Sequence, residues 1–343
     1  MNATDTLDAF CATAICRGLD ETAAAQLLAV AEPVSFTSGS RLVQQGEESR
    51  GAYVLRMGTV EARVSLPGGG AKTVAVLGAG EMFGEMALLE HGHCSANVMA
   101  VSDVDGWFIE REAFRALTAG RNPVALAIQR TITSGLVARL GALNGELLRC
   151  PAPEDKPVTM ALPAGDPLAD VPRLLRASFD HRSFLPALPF FDGFSLDEID
   201  IAAAAANVLE VARGEWLFVA GQTANACYLV VRGAVEVKAR LDGHERRMAL
   251  LGPGMLVGYI SVLSEKPHGA NARARENVLL LEFPAAGFMA FYNGTSGAAV
   301  KIQHAIHRNL LQSLARSNSQ LSRLVTQARL NEALSMRAVQ AGL

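Results

Sequence analysis

Apolar residues along this chain fall in short runs punctuated by glycine, and the punctuation repeats. AYVLRMGTVEARV at 52–64 and CYLVVRGAVEVKA at 227–239 each read as two β-strands around a tight turn, rich in Val, Leu and Tyr. Gly18, Gly39, Gly46, Tyr53 and Gly58 recur 175 positions later as Gly193, Gly214, Gly221, Tyr228 and Gly233. Gly78, Gly80, Gly84, Ala96 and Phe114 recur 174 positions later as Gly252, Gly254, Gly258, Ala270 and Phe288. The lost residue falls in a turn, SLPGGGAK in copy one against RLDGHER in copy two, where trimming is tolerated because backbone is exposed. Residues 18–114 and 193–288 are therefore predicted to be a tandem duplication of a mainly β domain.

The periodicity changes after each copy. Val124, Ile128, Ile132, Leu136, Leu140, Leu143 and Leu147 recur at three- and four-residue spacing, which predicts an amphipathic helix, and residues 298 to about 338 repeat the pattern at greater length. Eight of the 14 prolines lie between 151 and 189, so that stretch reads as a linker and neither a continuous helix nor a central strand. The predicted organisation is a first domain with closing helix at 1–149, a linker at 150–185, a second domain at 186–297 and a long helix at 298–343. On that last helix Leu310, Leu314, Leu321, Leu324 and Ala328 form a stripe near heptad spacing, suited either to a homodimer or protein partner or to its own domain. Lys301, Arg308, Arg316, Arg323, Arg329 and Arg337 recur on the other face with Glu332 the acid among them, which reads as a solvated face or as a surface for an acidic partner.

Composition narrows the class. Half of the 343 residues are apolar and 19% charged, ample for two compact domains. No run approaches the roughly 18 apolar residues of a transmembrane segment, and MNATDTLDAF carries acid where a signal peptide carries base, so a cytoplasmic protein is expected. Cys11, Cys16, Cys94, Cys150 and Cys227 are odd in number and scattered, as reduced thiols are. Trp107 and Trp216 sit in strand-like runs and read as packing residues.

The candidate chemistry lies in GAGEMFGEMALLEHGHCSANVMA at 78–100. Phe83, Gly84 and Glu85, then Ala87 and Leu88, then a loop and small residues before a Val-containing strand, resemble the phosphate-binding cassette of cyclic nucleotide-binding domains. The resemblance extends over nearly the whole of both copies. It implies two tandem β-roll (jelly-roll) domains, each closed by a long C-terminal helix, and a cyclic nucleotide as the ligand. A glycine turn leading into backbone N–H groups is a ready anion site. By the same resemblance Glu85 would accept from the ribose 2′-hydroxyl, and a loop arginine would pair with the cyclic phosphate. That arginine position holds Cys94, followed by Ser95 and Ala96. A charge-assisted hydrogen bond to phosphate is worth roughly 1.5–3 kcal/mol, so a first site binding weakly is expected, with His91 or His93 the nearby substitutes.

Copy two, GPGMLVGYISVLSEKPHGANARA at 252–274, departs at both diagnostic positions: Tyr259 replaces the glutamate and His268 the arginine, while Gly258, Gly269 and Ala270 keep the turn. Its pocket is expected to be degenerate, either filled by side chains or turned to a different anionic ligand met by His268 and the Tyr259 hydroxyl. The resemblance further implies that the closing helix covers the purine, which makes Thr131, Thr133, Ser134 and Arg139 candidates to meet a base over copy one. Cys11 and Cys16 are too few for the four ligands of an iron–sulfur cluster, and no metal set or nucleophile with its base is present, so no enzyme is expected. The formal charge of −3 and the absence of length for a helix-turn-helix after the last helix disfavour DNA binding. The expected function is a regulatory protein whose first domain senses a cyclic nucleotide, or a scaffold that keeps the fold without the ligand.

Overall fold

The structure, a computed structural model, describes residues 3–65, 70–89, 93–118, 123–150, 152, 155–157, 161–174 and 182–340. Contacts divide the chain into two compact units, Met1–Leu136 with Asn318–Leu343, and Val137–Ser317.

The first unit opens with helices α1 (Ala3–Cys11) and α2 (Glu21–Leu28), the latter capped by the Asp20 carboxylate accepting from Ala23 N at 2.7 Å. Strands β1 (Ala31–Phe36), β2 (Arg41–Val43), β3 (Gly51–Met57), β4 (Val60–Ser65), β5 (Ala71–Leu77) and β6 (Met82–Phe83) follow. A single turn α3 (Met86–Leu89) leads to β7 (Asn97–Ala100), β8 (Val104–Glu110) and helices α4 (Arg111–Thr118) and α5 (Pro123–Arg149). Two antiparallel sheets, β1-β8-β3-β6 and β2-β7-β4-β5, face each other around Leu55, Val60, Phe83, Val98 and Val104.

The second unit repeats this plan. An edge strand β9 (Lys156–Pro157) precedes helix α6 (Leu196–Ala204), then β10 (Asn207–Val211), β11 (Trp216–Phe218), β12 (Ala226–Arg232), β13 (Val235–Leu241) and β14 (His244–Leu251). After β15 (Leu256–Val257) come the turn α7 (Tyr259–Leu263), β16 (Asn271–Ala274), β17 (Val278–Pro284), α8 (Ala285–Tyr292) and α9 (Gly297–Gln340). The sheets are β10-β17-β12-β15 and β11-β16-β13-β14-β9, matching the first unit strand for strand apart from the added β9. The duplicated β domain expected from the residue pattern and the β-roll implied by the resemblance are thus present, each copy followed by a long helix. Asp20 and Ser195 occupy the same cap, the latter in a capping box with Glu198.

The glycine ladder has a local cause. Gly58 and Gly233 have φ of 93° and 84°, and a Cβ would stand 2.2 Å from the Asp103 carbonyl oxygen and 2.7 Å from that of Asn277. Only glycine satisfies both demands, so the turn between the third and fourth strands of each roll keeps it.

One expectation is revised and a second is narrowed. The proline-rich stretch contributes to the second roll: Leu168 is part of its core, Leu174 pairs with Val208, and Arg173 grips Glu282 through Nη2 at 3.0 Å and Nε at 3.2 Å. Asn207 Nδ2 donates to the same carboxylate at 2.9 Å. The stripe on α9 is also turned inward, since Leu310, Leu314 and Leu321 are buried within the chain, while Leu324 is half-buried and Ala328 exposed. On the basic face Lys301 Nζ pairs with Glu198 at 2.6 Å and Arg308 donates to the carbonyls of Pro189 and Phe190, so these are not solvated charges. Arg323 is exposed; the side chains of Arg329, Glu332 and Arg337 lie outside the described residues.

Candidate functional site

Strand pairing sets the two cassettes in equivalent places. Tyr53 pairs with Phe83 as Tyr228 pairs with Val257, and a glycine in the left-handed region follows each, Gly84 at φ 78° and Gly258 at 79°. The loop closes identically: Gly46 N donates to Cys94 O and Cys94 N to Glu47 O, while Gly221 N donates to His268 O and His268 N to Gln222 O. Cys94 and His268 therefore hold the same backbone position. Asn97 and Asn271 support the two loops alike, accepting from Gln45 N at 3.0 Å and from Ala220 N at 2.9 Å.

In the first domain Phe83 is buried and stacks on Tyr53, ring centroids 5.0 Å apart at 15°. Gly84 lies where a Cβ would stand 2.7 Å from the Gly51 carbonyl oxygen. Glu85 and Ala87 are buried on the following turn, Ala96 joins the core, and Ser95 is half-buried. Burial raises the half-buried Cys94 thiol, with the Ser49 hydroxyl partly offsetting it, so the turn does not favour a thiolate. His93 is exposed in a bridge with Glu48, and His91 lies outside the described residues.

Arg111, at the start of α4, escaped the sequence reading. It is buried, donates from Nε to the Ala87 carbonyl at 2.9 Å and lies 3.5 Å from Glu48, so it braces the cassette turn. Its counterpart in the second domain is Ala285, and no spacing rule marks it. Of the four candidates for base contact, two hydroxyls already have backbone partners. Thr131 Oγ1 donates within reach of Arg17 O and Ala127 O, Thr133 Oγ1 to Gln129 O, Ser134 is exposed, and Arg139 is half-buried.

The second cassette is not filled. Tyr259 and His268 are buried, yet a cavity of about 400 Å³ lies beside Gly258, Tyr259, His268, Gly269 and Ala270. Space survives because His268 folds flat onto Phe218, centroids 3.7 Å apart at 7°, directly over Gly258, whose Cβ would come within 3.1 Å of both rings. Burial pushes the His268 imidazole down to about 4, so near neutral pH it carries no charge in the arginine's place. Burial pushes the Tyr259 phenol well up, with Ser313 and the Arg316 guanidinium pulling weakly the other way. Tyr259 thus stays protonated and supplies no carboxylate-like acceptor. The Ser313 hydroxyl facing it donates to the Asn309 carbonyl at 2.9 Å.

Helix α9 completes this site. The Asn309 carboxamide accepts from Leu256 N at 3.0 Å, holding the helix on β15, and Ser317 Oγ donates to Asn144 of α5 at 2.8 Å. Arg316 lines the cavity half-buried, its guanidinium 3.9 Å from the Met255 sulfur. Among the described residues no carboxylate pairs with it. No group of three or more His, Cys, Asp or Glu among those residues is placed to hold a metal ion, and no helix among them is long and apolar enough to cross a membrane. Cys16, buried, has its thiol pushed up to about 11 by that burial.

The profile of the family described as Cyclic nucleotide-binding domain matches residues 33–121 and 208–294, together just over half of the chain. Among curated proteins, the Cyclic AMP receptor protein of Thermus thermophilus is 38% identical over 94 residues, covering 27% of this chain and 44% of its own length. The CRP-like cAMP-activated global transcriptional regulator of Mycobacterium tuberculosis is 26% identical over 133 residues, 39% of this chain and 58% of its own. The chain thus spans about half the length of the curated relatives it matches. A solved regulatory domain of Toxoplasma gondii PKA with cAMP is 17% identical with a TM-score of 0.32, over 85% of this chain and 95% of that one.

Proposed function

Since the chain belongs to the cyclic nucleotide-binding domain family, we propose that it is a non-catalytic regulatory protein whose first domain is its cyclic nucleotide site. The observation that carries this is Glu85. It is buried on the turn after Gly84, where the family's ribose acceptor stands, whereas the second domain has a protonated tyrosine there. The cation that would hold the phosphate is replaced by Cys94, so affinity is reduced by roughly 10- to 100-fold relative to an arginine-bearing cassette. The Thermus and Mycobacterium relatives are a cyclic AMP receptor protein and a cAMP-activated regulator, which makes that nucleotide the first to test. A cytoplasmic setting fits the free cysteines.

A second reading, a ligand-independent scaffold or assembly component, is favoured by one fact: arginine is missing at the same backbone position of both loops, Cys94 and His268. Titration of the full chain with cyclic AMP and cyclic GMP, followed as heat, separates the two. The sensor reading expects saturable binding in the micromolar to millimolar range, loss in Glu85→Ala and a gain of roughly 10- to 100-fold in Cys94→Arg. Absence of heat at millimolar nucleotide, with no gain in Cys94→Arg, removes it and leaves the scaffold.

A further inference from the structure

The cavity of the second domain has kept its room while changing its chemistry. Its volume, about 400 Å³, falls in the range of roughly 300–1,000 Å³ usual for small-molecule sites. The walls are largely apolar, formed by Phe218, Val237, Met248, Leu251 and Leu256. At the cassette end the charges a nucleotide would meet are gone, because His268 stacks on Phe218 as a neutral ring and Tyr259 remains a phenol. A cyclic nucleotide would bring a ribose hydroxyl and a phosphate to groups unsuited to either, and buried polar groups left without partners are costly.

The cation comes from elsewhere. Arg316 reaches the cavity from α9, not from the cassette loop, and its polar contact is the Met255 sulfur at 3.9 Å. Burial lowers its affinity for the proton, as it does for a guanidinium drawn partly out of water. A single guanidinium fork suits one planar monoanion, bound bidentately. A dianionic phosphate monoester would leave one charge uncompensated between apolar walls, and a cyclic phosphodiester, itself a monoanion, is disfavoured instead by its unpartnered ribose hydroxyl.

We propose that the second domain is a site for a small apolar monocarboxylate, its hydrocarbon part against Phe218, Val237 and Met248 and its carboxylate on Arg316. Ser313 and Ser317 line the cavity beside Arg316, one turn of α9 apart. Gly141 and Gly145 of α5 also line the cavity, and a Cβ at Gly141 would meet nothing within 4 Å.

Calorimetric titration of the full chain with octanoate and with 4-phenylbutyrate tests this, with 1-octanol as the uncharged control. The expected result is saturable binding of at least one carboxylate, roughly 10- to 100-fold tighter than octanol. Arg316→Met, similar in length and without charge, is expected to erase that difference. Gly141→Leu, which fills open space at a helical position, is expected to remove binding of acid and alcohol together while the protein keeps its melting transition. The proposal is overturned if neither carboxylate binds, if octanol matches octanoate, if both substitutions leave octanoate affinity unchanged, or if cyclic AMP displaces octanoate. Loss of cyclic nucleotide binding in Glu85→Ala bears on the first domain alone, so the two readings fail separately.

Discussion

At the scale of single residues, the left-handed glycines divide into two kinds that the sequence does not distinguish. Gly221, φ 88°, has open space where a Cβ would go; Gly233, φ 84°, has the Asn277 carbonyl oxygen at 2.7 Å. Gly221→Ala should cost about 1 kcal/mol, the strain of a side chain in that region. Gly233→Ala should cost about 3 kcal/mol or more, because the ladder must also give way. Chemical denaturation of the two variants measures the gap, and equal losses would show that the contact at Gly233 is relieved without penalty. Repetition of these glycines was visible in the sequence because backbone conformation is a local property. The place of Arg316 at the cavity and the His268–Phe218 stack were not, because each depends on residues about fifty or more positions apart meeting in space. The aligned position of Phe218 in copy one is Val43, and nothing in its strand announces that a ring there would hold a histidine flat against it.

Among the elements, the short edge strand β9 is where local patterning said least. Prolines marked its surroundings as a connector, yet Lys156 and Pro157 pair with Glu245 and His244. Asp155, one residue earlier, meets Arg246 Nε and Nη2 at 2.6 Å each. The same guanidinium donates to the carbonyls of Leu147 and Cys150, so one arginine of β14 holds the end of α5 and the start of the connector. The Arg246 hydrogen bond holds the Asp155 carboxyl below the usual carboxylate range, against a smaller opposing effect of desolvation. A carboxylate whose folded value is depressed binds its proton sooner in the unfolded chain. Its contribution is therefore complete above about pH 4 and fades as acid titrates the folded form. The melting-temperature gap between the unmodified protein and Asp155→Asn should be constant from pH 5 to 8 and close below about pH 4; a gap independent of pH down to 3 would refute the pairing. This clamp had no sequence signal, since its partners are carbonyls as much as charges.

For the whole molecule, the duplication has left two rolls of one topology with different interiors of meaning: a buried glutamate in one cassette, a neutral ring and a phenol in the other. Helix α9 illustrates how a periodic stripe is ambiguous until its surroundings are known. Heptad spacing at Leu310, Leu314 and Leu321 suits a second chain, but all three are already covered within this one. Leu314→Ala is therefore expected to lower stability by about 2–5 kcal/mol with no change in sedimentation of the folded protein. A shift in oligomeric state at unchanged stability would return the stripe to an intermolecular role.

The bond from Leu256 N to the Asn309 carboxamide has one more implication. With α9 bonded to β15 by the protein itself, an occupant is expected to act as ballast: it deepens the one arrangement already held. Its arrival would register as added resistance to heat, scaling with the logarithm of its concentration above saturation, while the outline of the domain stays as it was.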